Sequence, residues 1–219
     1  MNVAEAVATR RSIRAFLDKP VDFETIHRVL DRARMAPSGC NYQPWEGIVL
    51  TGAPLKALQE RLLAGAPDDP LEYDFSAPGQ VPKYKERLSR LGAAMYGSMR
   101  IGREDVEQRD LFSQANLTSF GAPVLLLAHF PKWMKEPQWS DVGMWLQTIM
   151  LLLRYEGLDS CPQEWMGVYG RTIKDHLGLS EDTLLFCGIA IGWRDNDHPA
   201  NAFERERVPL EEQVRFFGW

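Results

Sequence analysis

The chain has 219 residues, 45% of them hydrophobic and 25% charged, which is long enough to bury roughly 70–75% of its unfolded surface around a single core. Its 25 Lys and Arg against 30 Asp and Glu leave a net charge of −5, which argues against nucleic acid as a partner, because phosphate backbones are gripped by an excess of cations. Cys40, Cys161 and Cys187 are odd in number and lack CxxC spacing, so neither a disulfide framework nor a structural zinc site is indicated, and a reducing cytoplasm fits.

The first eight residues are acidic and carry no secretory n-region and h-region. Arg10-Arg11-Ser12-Ile13-Arg14 follows as a first guanidinium cluster. Asp22 is a candidate N-cap, and Phe23, Ile26, Val29, Leu30 and Ala33 recur at helical spacing until Pro37 forbids continuation. Beyond the turn Ala36-Pro37-Ser38-Gly39-Cys40-Asn41-Tyr42-Gln43-Pro44-Trp45, residues 47–51 predict a short strand, and Leu55, Leu58, Leu62 and Leu63 a second amphipathic helix. Residues 65–82, with Pro67, Pro70, Pro78 and Pro82, read as a long irregular segment, a length that suggests a lid or functional loop.

Tyr84, Leu88, Leu91 and Met95 mark a third helix, residues 105–120 a fourth, and the continuous apolar run 123–130 a buried strand. Ser140 is expected to cap a strongly apolar helix that stops at Gly157. Its apolar core, residues 144–153, is far short of the ~20 residues a membrane helix needs, which excludes a membrane as partner. Another helix covers 173–177 and a second buried strand 184–193. The plan is α+β, one sheet inside helices, without repeats.

Guanidinium groups fork onto phosphate oxygens, and a serine hydroxyl with nearby backbone N–H groups takes the remaining lone pairs. Arg10-Arg11-Ser12-Ile13-Arg14 and the distant Arg205-Glu206-Arg207 are therefore candidate halves of one anion cradle. No GxGxxG fingerprint opens a helix, since Gly188 and Gly192 sit inside a strand, so a Rossmann dinucleotide site is not indicated. His27, His129, His176 and His198 form no i, i+4 pair, which leaves metal ligation without support. Cys40 and Cys161 lack a His or Asp partner at a nucleophile's spacing and read as small packed hydrophobes.

Five segments in order resemble the nitroreductase family of FMN enzymes. They are the Arg-Arg-Ser-x-Arg start, the Pro-Ser-Gly-x-Asn-x-Gln-Pro-Trp turn, Ser160-Cys161-Pro162-Gln163-Glu164-Trp165, the strand Gly188-Ile189-Ala190-Ile191-Gly192, and Asn201 with Arg205 and Arg207 before Val208-Pro209-Leu210. The resemblance implies a single FMN-binding nitroreductase-like domain over residues 1–219, a central mixed β-sheet surrounded by helices. It also implies a variable lid or insertion at 65–104 and a C-terminal arm at 205–219. The aromatic cluster at the end of that arm needs cover, from its own domain or from a second subunit. The resemblance favours an intertwined homodimer, in which the turn of one subunit reaches the flavin held by the other.

On the same resemblance, the FMN phosphate falls to Arg10, Ser12, Arg205 and Arg207, with Arg11 helping or facing the ribityl chain. Arg14 is expected at the pyrimidine edge, where a fixed cation raises the reduction potential. Pro37, Ser38, Gly39 and Asn41 form one wall, and Pro162 and Gln163 shape the other. Glu164 matches the position whose backbone N–H lies near flavin N5, which carries the hydride, so no side chain is catalytic. Asn41 and Gln43 also suit the satisfaction of loop backbone groups, but their place beside Pro37-Ser38-Gly39 favours the flavin. Trp139 and Trp165 are candidate substrate contacts, with core packing as the competing reading.

The activity implied is ping-pong two-electron transfer from NADH or NADPH to a small nitroaromatic or quinone-like acceptor. Alternatives are dehydrogenation, reductive dehalogenation or ene reduction on the same scaffold, and a non-catalytic flavin-binding sensor or carrier. A dehalogenase would close a zwitterion-binding lid, for which Glu72-Tyr73-Asp74 to Lys83-Tyr84-Lys85 is the candidate segment.

Overall fold

The computed structural model describes residues 1–77 and 79–219, and Pro78 of the irregular segment lies outside the described residues. Four strands, β1 (Glu46–Thr51), β2 (Val124–Pro131), β3 (Asp159–Gln163) and β4 (Thr183–Gly192), form one sheet in the order β1-β2-β4-β3. Every neighbouring pair is antiparallel, and parallel pairing is confined to the bridge between Ser12 and Ser160 beside β3. The mixed character expected of the sheet is thus limited, among the described residues, to that bridge.

Strands β2 and β4 lie at the centre and are buried almost throughout, as their continuous apolar runs require. Successive side chains point to opposite faces. Leu126, Ala128, Phe130, Ile189 and Ile191 pack against α2 (Phe23–Ala33) and α6 (Glu136–Tyr155). Leu125, Leu127 and Leu185 meet Leu55, Leu58 and Leu62 of α3 (Gly52–Leu63) and Ile173 of α7 (Gly170–Leu177). Gly188 serves this packing: a Cβ there would come within 2.9 Å of Met166 Cγ and 3.0 Å of Leu125 Cδ1.

Strand β3 is an edge strand that the sequence pattern conceals. Asp-Ser-Cys-Pro-Gln contains no β-branched or aromatic residue, and its Pro162 is tolerated because an edge position can spare the missing N–H. The outer edge of β3 receives the N-terminal segment, with the Ile13 N–H donating to the Ser160 carbonyl at 3.0 Å.

Helix boundaries differ from expectation in three places. Helix α6 starts at Glu136, with Pro137 in its first turn, and Ser140 is inside it, donating its hydroxyl to the Pro137 carbonyl at 2.7 Å rather than capping. Helix α5 (Val106–Gln114) ends well before residue 120, because the chain turns into left-handed φ at Ser119 and Phe120 to bury the Phe120 ring. An additional helix, α1 (Val3–Thr9), is fixed by a capping box between Asn2 and Glu5, with reciprocal bonds of 2.9 and 2.8 Å. Asp22 caps α2 as expected, accepting the Thr25 N–H at 2.8 Å.

The stretch before α4 (Pro82–Ser98) is tied down at its start. The Asp68 carboxylate accepts the Arg171 N–H at 2.7 Å and the Thr172 hydroxyl at 2.8 Å, capping α7. Glu72 is buried and paired with Lys174, and the Tyr73 hydroxyl donates to the Phe186 carbonyl at 2.7 Å. The Glu72 side chain is therefore buried and Tyr73 is tied against the core, so neither is placed as part of the zwitterion-binding lid weighed for a dehalogenase. Among the described residues no helix is long and apolar enough to cross a membrane.

Asp159 joins three elements at the start of β3. Its buried carboxylate accepts from Arg154 at the end of α6 at 2.9 Å and from Arg194, just past β4, at 2.9 and 3.1 Å. Asp159→Ala leaves two partly buried guanidinium groups without a counter-charge, and a loss of about 3–5 kcal/mol is expected. Urea unfolding of the variant measures it, and a loss below about 1 kcal/mol would contradict this account of the corner.

Candidate active site

Residues 10–16 run extended along the edge of β3, and alternation sorts their side chains. Ile13 and Ala15 point into the core, which leaves Arg10, Ser12 and Arg14 on the outer side. Arg11 lies on the inner side, its guanidinium carbon 5.6 Å from the Phe203 ring centre and its Nη2 buried with no hydrogen-bond partner. Asn201 fixes this segment. Its Oδ1 accepts the Arg14 N–H at 2.8 Å, and its amide donates to the carbonyls of Ala15 at 2.9 Å and Asp195 at 2.8 Å.

The second cluster meets the first. The Arg205 guanidinium donates to the carbonyl of Arg10 and, at 2.7 Å, to that of Ala8, at the C-terminal end of α1. These bonds go to carbonyls near the end of α1 that have no intrahelical partners. Arg205 acts as a strut that holds the arm against Arg10 and Arg11. Burial first, then Arg207, holds Arg10 below the usual arginine range, and Arg205 is lowered by burial and then by Arg207, Arg10 and Arg11. Arginine stays charged regardless, so burial is the main influence on both groups and neighbouring like charge adds to it. Glu206, between the two arm arginines, turns its carboxylate to Arg90 at 3.2 Å.

The inner end of β3 forms an adjoining wall. Pro162 is exposed, while Gln163 is buried, donating to the Asn116 carbonyl at 2.7 Å and leaving its Oε1 without a partner. Glu164 and Trp165 open the turn after β3 and are exposed.

The turn at Pro37 to Asn41 lies elsewhere. The Gly39 N–H donates to Asp141 Oδ1 at 3.1 Å, Ser38 Oγ accepts the Gln43 N–H at 2.9 Å, and the Gln43 amide donates to the Asn41 carbonyl at 2.9 Å. Gln43 thus serves the loop backbone. Cys40, Asn41 and Gln43 hold φ of 48°, 58° and 48°, a strained run for residues other than glycine. At Gly39 a Cβ would meet nothing nearer than Asp141 Oδ2 at 3.8 Å, so nothing inside the chain demands glycine there. Asp141 is near the start of α6 and Arg154 near its end, against Asp159, a separation of about 20 Å at 1.5 Å per residue. One chain therefore keeps the turn and the arginine cluster at opposite ends of α6.

A family model described as the nitroreductase family matches residues 7–193. The chain belongs to the nitroreductase family. It is 37% identical over 215 residues to the 4-nitrobenzoate reductase of Pseudomonas putida, covering 97% of this chain and 94% of that one. With nitroreductase NfnB of Mycolicibacterium smegmatis it shares 30% identity over 209 residues, 94% and 89% of the two chains. Among solved structures, the FMN and NADPH-dependent nitroreductase NfnB from Sphigopyxis sp. strain HMH matches with a TM-score of 0.94 at 42% identity over 100% of both chains. The FMN-dependent nitroreductase NfnB from Mycobacterium smegmatis in complex with NADPH matches with a TM-score of 0.92 at 28% identity, over 99% of this chain and 100% of that one.

In this nitroreductase chain, Trp139 is partly buried. Its ring packs edge-on against Tyr73, Phe130 and Phe186 at 5.1, 5.1 and 5.2 Å, an aromatic cluster of the core. Trp165 remains accessible at 42% exposure. Asp141 and Asn116, which position the two walls, escaped the sequence reading. The signal available for Asp141 was a carboxylate next to Val142 on the apolar side of a helix.

Burial pushes the Cys161 thiol up to about 11 and that of Cys187 up to about 12, so both stay protonated at neutral pH and pack as apolar groups. Cys40 is exposed. In the native protein at pH 8 a thiol-specific disulfide reagent should therefore modify no more than one cysteine, Cys40, and all three after denaturation. Rapid native reaction of Cys161 would contradict its burial.

Proposed function

We propose that this protein is an FMN-dependent oxidoreductase that uses NADPH or NADH to reduce nitroaromatic or quinone-like acceptors by a ping-pong, two-electron route. The observation that carries the reading is the meeting of the two arginine clusters, in which Arg205 bonds the Arg10 carbonyl, with Arg11 Nη2 beside them buried and unpartnered. A dianionic phosphate fits that donor set, neutralising like charges that otherwise repel. The names of the relatives, FMN- and NADPH-dependent nitroreductases among them, support the same cofactors here.

In this reading Arg10, Arg11, Ser12 and Arg207 bind the phosphate, and Arg205 holds the arm that completes the cradle. Arg14, fixed through its main chain by Asn201, sets a cation at the pyrimidine end of the ring system. The main chain at Pro162, Gln163 and Glu164 lines the reacting edge. When bound, FMN supplies two-electron transfer between the nicotinamide and the acceptor. No side chain at the site needs to act as a general acid or base, and protons for the reduced acceptor come from water.

The turn at Pro37, Ser38, Gly39 and Asn41 completes the site from a second subunit. Its distance from the arginine cluster within one chain supports a two-fold homodimer in which each turn faces the other subunit's cradle. The C-terminal arm, residues 205–219, supports it too. Phe216, Phe217 and Trp219 are 64%, 83% and 103% exposed, more apolar surface than a chain leaves to water without a partner. One domain spans residues 1–219. Since residues 68–73 are anchored, the variable region that faces the acceptor narrows to 74–104.

Anaerobic titration with NADPH, and then NADH, followed by addition of a nitroarene, tests the reading. The purified protein should be yellow, bleach on reduction and recover its colour with the nitroarene. Bleaching without recovery would sink the acceptor assignment and favour a carrier, and a colourless protein that takes up no FMN would overturn the whole reading.

A further inference from the structure

Helix α4 buries no residue and faces the C-terminal arm across a groove of about 610 Å³. The ties across this groove are charged. Arg87 and Arg90 lie on one face of α4, about one turn apart, and both line the groove opposite Glu206 and Val208. Arg90 Nε pairs with Glu206 Oε2 at 3.2 Å and its Nη1 with Glu86 at 3.1 Å, while Arg87 Nη2 reaches Glu212 Oε2 at 3.4 Å. One tie thus holds the arm at its start and the other further along.

Glu206 stands between the two arm arginines, and its two polar groups face different partners. Its carboxylate goes to α4, while its carbonyl accepts the Arg207 guanidinium at 2.7 Å. The preceding residue, Arg205, is bonded to the carbonyls of Arg10 and Ala8. The segment 205–207 is therefore clamped from both sides, by the end of α1 through Arg205 and by α4 through Glu206. Arg207 lies close enough to Arg10 to act on its charge, so the place of Glu206 sets where Arg207 stands beside the first cluster.

A carboxylate between two arginines that bind an anion opposes that anion unless its own charge is taken up elsewhere. Arg90 takes it up, from the far side of the arm. Glu206 is thereby turned from a competitor of the anion into an anchor for the residue that follows it.

We propose that Arg90 and Glu206 are positioning residues for the cradle: their pair, with Arg87 and Glu212 as a second tie, latches the arm to α4 and holds Arg207 where the FMN phosphate binds. The proposal rests on the FMN reading above. Helix α4 belongs to the region 74–104 that faces the acceptor in that reading, so the latch links cofactor retention to the place of this helix. Such linkage is reciprocal, and a phosphate that fixes Arg207 also steadies α4. Phe216, Phe217 and Trp219 lie beyond the latch, which leaves them to the proposed dimer.

The test measures dissociation constants for FMN and for riboflavin, which lacks the phosphate, by fluorescence titration of the wild type, Glu206→Gln, Arg90→Gln and the double variant. The side chains of Arg90 and Glu206 are 45% and 59% exposed, so neither substitution should unfold the chain. The sign of the effect in Glu206→Gln is decisive. Acting through its charge alone, Glu206 would repel the phosphate, and its removal would tighten FMN binding. As part of a latch its removal should weaken FMN binding about 2- to 5-fold, the scale of an exposed ion pair, and leave riboflavin binding unchanged. Arg90→Gln should weaken FMN binding by a similar factor, and the double variant should bind no more weakly than the weaker single variant, because the two side chains act as one unit. Equal or tighter FMN binding in Glu206→Gln, or additive losses in the double variant, would overturn the latch and leave the FMN reading standing. Equal losses for riboflavin would place the effect outside the phosphate cradle and overturn the latch as well. A wild type that binds no FMN would overturn the FMN reading and the latch with it.

Discussion

One hydrogen-bonded edge organises the candidate site. The N-terminal segment docks on β3 through the Ile13 N–H and the Ser160 carbonyl, and Arg205 then bonds to carbonyls at the end of α1. Together these bonds force guanidinium groups from opposite ends of the sequence into a space where they repel one another. Such crowding is costly in a folded chain unless something compensates it. Backbone geometry imposes it here, which separates this cluster from an ordinary solvated basic patch. In the proposed function this cluster is where the anion binds.

Helix α6 sets the scale of the rest. It carries Asp141, which holds the Gly39 turn, near one end, and Arg154, which reaches Asp159 beside the cradle, at the other. A helix of 20 residues keeps those features apart in a single chain, and the proposed two-fold dimer would bring them together between chains. The strained turn, with three non-glycine residues at left-handed φ held by bonds to Asp141, Ser38 and Asn41, faces the other subunit's cradle in the proposed dimer. The exposed aromatic arm is the other surface that the proposed dimer would cover.

Much of this was legible in the residues because it depends on local pattern. Continuous apolar runs gave away β2 and β4, Asp22 announced the start of α2, and the arginine pairs with the Pro37 turn marked the segments proposed for the site. What stayed hidden depends on distant partners. Strand β3 has no strand-like composition and exists because β4 offers it an edge. Pro137 reads as a breaker and Ser140 as a cap, although a proline in the first helical turn costs nothing and lets α6 begin at Glu136. Trp139 sits beside a site helix in sequence, but its ring is claimed by Tyr73, Phe130 and Phe186 from three other segments. Pattern could likewise show that Arg205 is basic and near a motif, but not that its N–H groups would go to carbonyls near Arg10.

The central claim is that the strut formed by Arg205 assembles the cradle for a phosphate. Measuring the FMN dissociation constant of Arg205→Ala by fluorescence titration, beside the wild type, tests it most directly. Loss of the strut should weaken FMN binding by about 1.5–3 kcal/mol, roughly 10- to 100-fold, because the arm and Arg207 would no longer be held against Arg10 and Arg11. An FMN affinity equal to that of the wild type, in a folded variant, would show that the two arginine clusters meet for some other reason and would contradict the account.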